Sequence, residues 1–144
     1  MKVKVAGVGT AALLALGLAG CGSGGGDEYG SAQELWDSLS PVASCPSDGL
    51  NIEEMPAEGD LAAHSRVDCY PTTTDGGVEI EVYGLVVEDG EQLESVADYY
   101  GVPLMLTGPN WGLFAEPEDG ASSEDIDDWM EQAQQEIGGE LQES

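Results

Sequence analysis

Residues 78–83 read Val-Glu-Ile-Glu-Val-Tyr, so apolar side chains alternate with acidic side chains up to a final tyrosine. Successive side chains of a β-strand point to opposite faces, and this stretch therefore predicts a strand with one buried face and one solvated face. Residues 75–77, Asp-Gly-Gly, predict a turn before it. Residues 65–70 alternate in the same way. We therefore expect 65–70 and 78–83 to form an antiparallel hairpin.

A second hairpin is predicted further along the chain. Residues 104–106 and 111–115 are apolar runs on either side of Thr-Gly-Pro-Asn, which is a turn sequence. The apolar run 85–87 predicts that the first hairpin continues past Gly84, with a bend or bulge at this glycine. Residues 46–62 show little periodicity, and we expect a surface loop there with Leu50 and Ile52 tucked in.

Three segments show helical spacing of their apolar residues. Ser31 with Glu34, and Ser122 with Asp125, predict capping boxes at the first and third helix. Gly101 predicts the end of the second helix. The apolar stripes are Ala32, Leu35, Trp36 and Leu39; then Leu93, Val96, Ala97 and Tyr100; then Ile126, Trp129, Met130, Ala133 and Ile137.

These elements predict the order α-β-β-α-β-β-α. Adjacent strands with short links favour an antiparallel sheet, so we expect an α+β fold. The expected architecture is a two-layer sandwich, with a sheet of about four strands and the helices on one face. Residues 31–144 have a length typical of one domain.

The chain begins with a leader that predicts export. Lys2 and Lys4 precede an almost wholly apolar run, which is typical of a signal peptide, and we assign residues 1–20 to it. The run is short for a membrane span, which needs about 20 apolar residues. Leu18-Ala19-Gly20-Cys21 resembles the lipobox of bacterial lipoproteins. The resemblance implies cleavage before Cys21, lipidation of its thiol with acyl chains such as palmitate, and attachment to the extracytoplasmic face of the cell membrane.

Residues 21–30 then form the lipidated cysteine and a flexible tether. The alternative is a plain secreted protein with an incidental cysteine at the cleavage site. Gly108-Pro109-Asn110-Trp111 and the later Gly138-Gly139 are similar to a pattern in small lipoproteins of high-GC Gram-positive bacteria. This resemblance implies no activity, and turn chemistry with a core tryptophan explains the same residues.

Cysteine usage points to a disulfide. If Cys21 carries lipid, Cys45 and Cys69 remain, and an even number of cysteines in an exported protein predicts a bridge. Two free thiols or a metal-binding pair are the alternatives, although a metal site would need further ligands.

The charge excludes several partners. Both lysines lie in the leader, so after residue 21 Arg66 is the single strong base against 29 acidic residues. This composition argues against binding nucleic acid, which needs cationic groups on its phosphates, and against electrostatic docking to anionic lipid. The acidity suits a solvated surface in salty surroundings, loose binding of divalent cations, or a basic partner.

No catalytic residues and no cofactor are predicted. His64 is the only imidazole, and a serine nucleophile would need it as a base. Weak candidates for a calcium site are Asp119, Glu124, Asp125 and Asp128, but their spacing does not match an EF-hand loop.

The leading hypothesis is therefore a non-enzymatic binding or interaction module of unknown ligand, monomeric by default, anchored through Cys21 and facing an envelope partner. A small envelope hydrolase using carboxylates is one alternative. An acidic cation-binding surface protein is the other.

Overall fold

Seven strands form one antiparallel, curled sheet in the computed structural model, which describes residues 26–142. The order across the sheet is β1-β3-β4-β6-β5-β7, and β2 pairs with β3 on the same side as β1. The strands are β1 (Ala43–Ser44), β2 (Leu50–Met55), β3 (His64–Thr74), β4 (Glu79–Val87), β5 (Leu106–Thr107), β6 (Trp111–Pro117) and β7 (Glu140–Leu141).

All three predicted helices are present. They are α1 (Ala32–Ser38), α2 (Leu93–Tyr100), which follows a short 3-10 turn, and α3 (Ser123–Ile137). Ser122 and Asp125 form the expected reciprocal capping box at α3. Ser31 caps α1, because its hydroxyl accepts a hydrogen bond from the Glu34 amide. The Glu34 carboxylate accepts from the Gly30 amide instead of the Ser31 amide, so the predicted capping box at α1 is incomplete.

The predicted β3–β4 hairpin lies at the centre of the sheet. His64 pairs with Val87 and Cys69 pairs with Val82. The pairing runs without a break through Gly84, so the predicted bulge at this glycine is wrong. The register shift lies instead in β3, between Cys69 and Thr72, where the Tyr70–Pro71 peptide is cis.

Close packing of α1 accounts for Gly84. A Cβ atom at this position would lie 2.8 Å from Val67 Cγ1 and 3.1 Å from Leu35 Cδ2. A side chain would therefore push α1 away from the sheet. The glycine allows direct contact between this helix and the two central strands.

The two faces of the sheet carry different helices. Val67, Val82 and Leu113 point to the face that we call the inner face, where α1 and α3 complete the main core. Leu85 and Val87 point to the opposite, outer face and pack against α2. The expected α+β two-layer sandwich with all helices on one face is therefore wrong, because helices lie on both faces of a curled sheet that makes up most of the molecule.

The expected sheet of about four strands is also wrong, because the sheet has seven. Three additional strands are β1, β2 and β7. Strands β1 and β7 contain two residues each, which is too short for any periodic signal. β2 falls within residues 46–62, which we expected to be a loop, and its six residues pair in full register with β3.

The predicted disulfide is confirmed between Cys45 and Cys69, whose Cα atoms are 6.1 Å apart. It joins the segment after β1 to the middle of β3, and Cys69 is completely buried in the main core.

Among residues 26–142, none of the helices has the length and apolar character needed to cross a bilayer. The predicted signal peptide (residues 1–20) and the predicted lipidation at Cys21 fall outside the described residues.

Candidate functional site

A cleft of about 580 Å³ opens at the end of the sheet where β3 begins and β4 ends. This volume is in the range of small-molecule sites, roughly 300–1,000 Å³. Its walls come from five separate parts of the chain: the segment before α1, the end of β2, the start of β3, the end of β4 with the residue that follows it, and the turn before β6. The polar and aromatic side chains of the wall are Glu28, Tyr29, Glu54, His64, Ser65, Glu88 and Asn110.

Asn110 holds one wall of the cleft in place. Its Nδ2 donates hydrogen bonds to the carbonyl oxygens of Tyr29 at 2.7 Å and Val87 at 2.9 Å. Its Oδ1 accepts from the Tyr29 amide at 3.1 Å. Asn110 is buried, and a buried amide with satisfied donors fixes the backbone around it. The segment with Glu28 and Tyr29 is therefore fastened to the end of β4.

Trp111 fastens the same segment from the inner face. Its Nε1 donates to the carbonyl oxygen of Asp27 at 2.8 Å, and its ring packs edge-to-face on Tyr29 with the centroids 5.9 Å apart. Gly26 forms an isolated bridge with Gly138. Residues 26–30, which we assigned to the tether, are thus bonded to the domain.

Ser65 connects α1 to the cleft carboxylate of Glu54. Its Oγ accepts from the Ala32 amide at 2.8 Å and donates to Glu54 Oε1 at 2.6 Å. Ser65 is almost completely buried, whereas Glu54 is exposed. The hydroxyl therefore positions one oxygen of this carboxylate and leaves the other oxygen free to face solvent.

His64 is buried in the wall with both ring nitrogens engaged. Nδ1 lies 2.8 Å from the Ala62 carbonyl oxygen, and Nε2 lies 2.6 Å from the Tyr100 hydroxyl. Because a carbonyl only accepts, Nδ1 carries the proton, and in the neutral ring Nε2 accepts from tyrosine. The imidazole also packs on the Tyr100 ring. The structure thus gives His64 a positioning role for Tyr100, and it places no hydrogen bond between His64 and Ser65.

The cleft carries uncompensated negative charge. Glu28, Glu54 and Glu88 all line it and are exposed. Arg66, the only strong base in the described part of the chain, lies elsewhere: its Nε donates to Glu53 Oε2 at 2.6 Å, and its guanidinium lies over the Tyr100 ring. The potential in the cleft therefore favours a cation.

The four candidate calcium ligands do not form one site. The Asp125 carboxylate accepts from the amide and hydroxyl of Ser122, at 2.7 and 2.8 Å, and these bonds lower the pKa of Asp125. Asp119, Glu124 and Asp128 are exposed. Across residues 26–142, the structure shows no group of three or more His, Cys, Asp and Glu side chains arranged to hold a metal ion.

Neither protein-family models, nor curated proteins, nor solved structures give a match to this chain. The cleft is therefore interpreted from its own chemistry.

Sequence reasoning missed most of this cleft. Glu28 and Tyr29 lie in the segment that we assigned to the tether, and Glu54 lies in the segment that we expected to be a loop. The available signal was the alternation in Leu50-Asn51-Ile52-Glu53, which is typical of a strand. It would have placed Glu54 beside Ser65, where the register has it.

Proposed function

We propose that this protein is a lipid-anchored binding module on the extracytoplasmic face of the cell membrane, and that its cleft binds a small cationic organic ligand. The observation that carries the proposal is the convergence of Glu28, Glu54 and Glu88 on one cleft whose walls contain no lysine or arginine. This combines the binding-module hypothesis with the cation-binding alternative in one site.

The chemistry of the walls favours an organic amine. Carboxylates form strong, charge-assisted hydrogen bonds with ammonium and guanidinium groups. The Tyr29 ring and the Met55 side chain add apolar surface that suits the alkyl part of such a ligand. An aromatic wall also attracts a cation through its ring face.

The bonded segment 26–30 supports an anchor close to the cleft. The stretch from Cys21 to Gly26 reaches at most about 18 Å when fully extended, at roughly 3.5 Å per residue. A lipid on Cys21 would therefore hold the wall containing Glu28 and Tyr29 near the membrane surface.

Removing the cleft charges is expected to weaken amine binding. In isothermal titration calorimetry with spermidine, the triple variant Glu28→Gln, Glu54→Gln and Glu88→Gln should bind about tenfold more weakly, because exposed ion pairs contribute roughly 0.2–1 kcal/mol each. The matched control replaces the exposed carboxylates Glu131, Glu136 and Glu140 by glutamine. Equal weakening in the two triple variants would contradict a specific site.

The alternative of a hydrolase that uses carboxylates is tested by an activity assay, and a serine nucleophile receives little support from the geometry. Both nitrogens of His64 and the hydroxyl of Ser65 are engaged in hydrogen bonds within the fold. Release of soluble fragments from purified cell-wall material by the wild type, and its loss in Glu54→Gln, would contradict a non-enzymatic function.

Removing the Cys21 thiol is expected to release the protein from the membrane fraction. With Cys21→Ala, most of the protein should move from the membrane fraction to the soluble fraction, because two acyl chains are what hold such a protein stably in a bilayer. Ser23→Ala is the control and should stay in the membrane fraction. Unchanged membrane retention of Cys21→Ala would refute lipid anchoring.

A further inference from the structure

The outer face of the sheet is covered by α2 at one end only. Beyond that end, Tyr83 of β4 and Phe114 of β6 lie opposite each other and stack, with ring centroids 6.0 Å apart and planes inclined by 20°. Both side chains are half-buried. Neither ring belongs to the main core or to the cluster under α2, so two aromatic rings remain on a partly exposed sheet surface. Such surfaces mark binding sites more often than chance.

Carboxylates surround this aromatic pair. Asp68 lies opposite Tyr83 on β3, and Glu81 lies opposite Glu116 across β4 and β6. The Tyr83 hydroxyl donates to Glu81 Oε1 at 2.7 Å. We call these five residues the outer-face patch: Asp68, Glu81, Tyr83, Phe114 and Glu116.

One carboxylate oxygen of Asp68 lacks a hydrogen-bond partner in the described part of the chain. Its Oδ1 atom is inaccessible to solvent and has no hydrogen-bond partner among the described residues. Burial raises the pKa of this carboxyl and the nearby Glu81 raises it further, whereas Arg66 lowers it. A cationic group beside this carboxylate would offset the repulsion between Asp68 and Glu81.

A narrow groove of about 240 Å³ lies next to the patch, between the sheet and the end of α2. Leu85 and Val102 provide apolar walls, and Tyr83 and Tyr100 provide aromatic walls. Arg66 also lines the groove, with its guanidinium bonded to Glu53. Tyr83 therefore belongs to both the patch and the groove. A ligand with a positive charge beside an apolar side chain would contact both at once.

Charge decides which occupant fits. A second copy of this chain would bring further carboxylates, because Arg66 is its only strong base after residue 21 and is already engaged by Glu53 and Tyr100. A nucleic acid or an anionic lipid surface would be repelled for the same reason. The complementary partner is a polycation with apolar side chains.

We propose that the outer-face patch docks a basic polypeptide segment of a partner protein. Lysine or arginine side chains of that segment contact Asp68, Glu81 and Glu116, while a neighbouring aromatic or aliphatic side chain enters the groove between Tyr83 and Tyr100. Buried apolar anchors supply most of the binding energy in such interfaces, and complementary charge supplies orientation and specificity. The patch and the groove share no lining residue with the cleft, and the inference stands independently of the cleft's ligand.

The test uses two fluorescently labelled peptides, Lys-Lys-Phe-Lys-Lys and Lys-Lys-Ala-Lys-Lys, titrated by anisotropy with the soluble chain carrying Cys21→Ala. The phenylalanine peptide should bind the otherwise unchanged chain several-fold more tightly than the alanine peptide. Asp68→Asn with Glu81→Gln should weaken its binding about tenfold, in line with the loss of close charge pairs. The control Glu131→Gln with Glu136→Gln removes the same charge from α3 and should change binding by less than about twofold, because those charges are screened at that distance.

Two further variants separate docking from an effect on folding. Glu116 is exposed, so Glu116→Gln leaves the fold intact and should weaken binding of both peptides. Tyr83→Ala should remove the preference for the phenylalanine peptide, because it removes the wall shared by the patch and the groove. Equal weakening by the patch and α3 double variants, or equal binding of the two peptides to the unchanged surface, would overturn the proposal.

Discussion

Replacing Trp111 by alanine is expected to lower the free energy of unfolding by about 3–5 kcal/mol, the usual cost of truncating a fully buried tryptophan. Trp111 is completely buried in the main core. It also forms the Nε1 hydrogen bond to Asp27 and the edge-to-face contact with Tyr29. The truncation therefore opens a cavity in the core and releases the segment that forms one wall of the cleft.

Urea unfolding followed by circular dichroism measures this loss. Trp111→Phe retains an aromatic ring but removes the indole donor, and it should cost less than the alanine variant. Tyr99 is exposed on α2, so Tyr99→Ala should change stability by no more than about 0.5 kcal/mol. A loss below about 1 kcal/mol for Trp111→Ala would show that this residue does not carry the packing that we assign to it.

Removing the disulfide should have the second largest effect. The double variant Cys45→Ser with Cys69→Ser is expected to lose about 3–4 kcal/mol, because the bridge closes a loop of 24 residues and restricts the unfolded chain. Cys69 lies in the core, so serine at this site also introduces a buried hydroxyl.

The measurement is the urea midpoint of the oxidised wild type, the reduced wild type and the double variant. Chemical reduction breaks the bridge without introducing a buried serine hydroxyl. The difference in urea midpoint between the reduced wild type and the double variant therefore measures the effect of that hydroxyl. Cys21→Ser is the control, and it should leave the midpoint unchanged. Equal midpoints for the oxidised and the reduced wild type would contradict a stabilising bridge.

Elements with a local periodic signal could be predicted from the sequence. The alternation of residues 78–83 identified the central hairpin, and the stripe from Ile126 to Ile137 identified α3 together with its cap at Ser122. These signals are local, because each depends on the spacing of side chains within one element. The disulfide could be predicted as well, because the predicted export and lipidation of Cys21 leave Cys45 and Cys69 as a pair.

The distribution of helices over the two faces required a different signal. An amphipathic stripe on α2 is the same whichever face of the sheet it covers. The continuous apolar run Leu85-Val86-Val87 is typical of a strand buried on both faces. It was an available signal for a covered outer face at this end, but we predicted all helices on one face. The short strands β1 and β7 gave no such signal, since their pairing is set by neighbours that are distant in sequence.

The cleft could not be predicted because its walls come together only in the folded chain. Glu28 lies at the cleft because the neighbouring Tyr29 is hydrogen-bonded to Asn110, which is 81 positions later in the chain. Glu54 reaches it through the pairing of β2 with β3. In a chain with 29 acidic residues, nothing in the composition distinguishes these carboxylates from the solvated ones.

We propose that the cleft binds a cationic organic ligand. The most direct measurement is an amide NMR titration of the soluble chain carrying Cys21→Ala with spermidine at physiological ionic strength. We expect saturable changes in amide chemical shift at Tyr29, His64, Ser65 and Asn110, while the amides of α3 stay unchanged. Shift changes spread over all acidic surfaces without saturation, or none at the cleft, would contradict it.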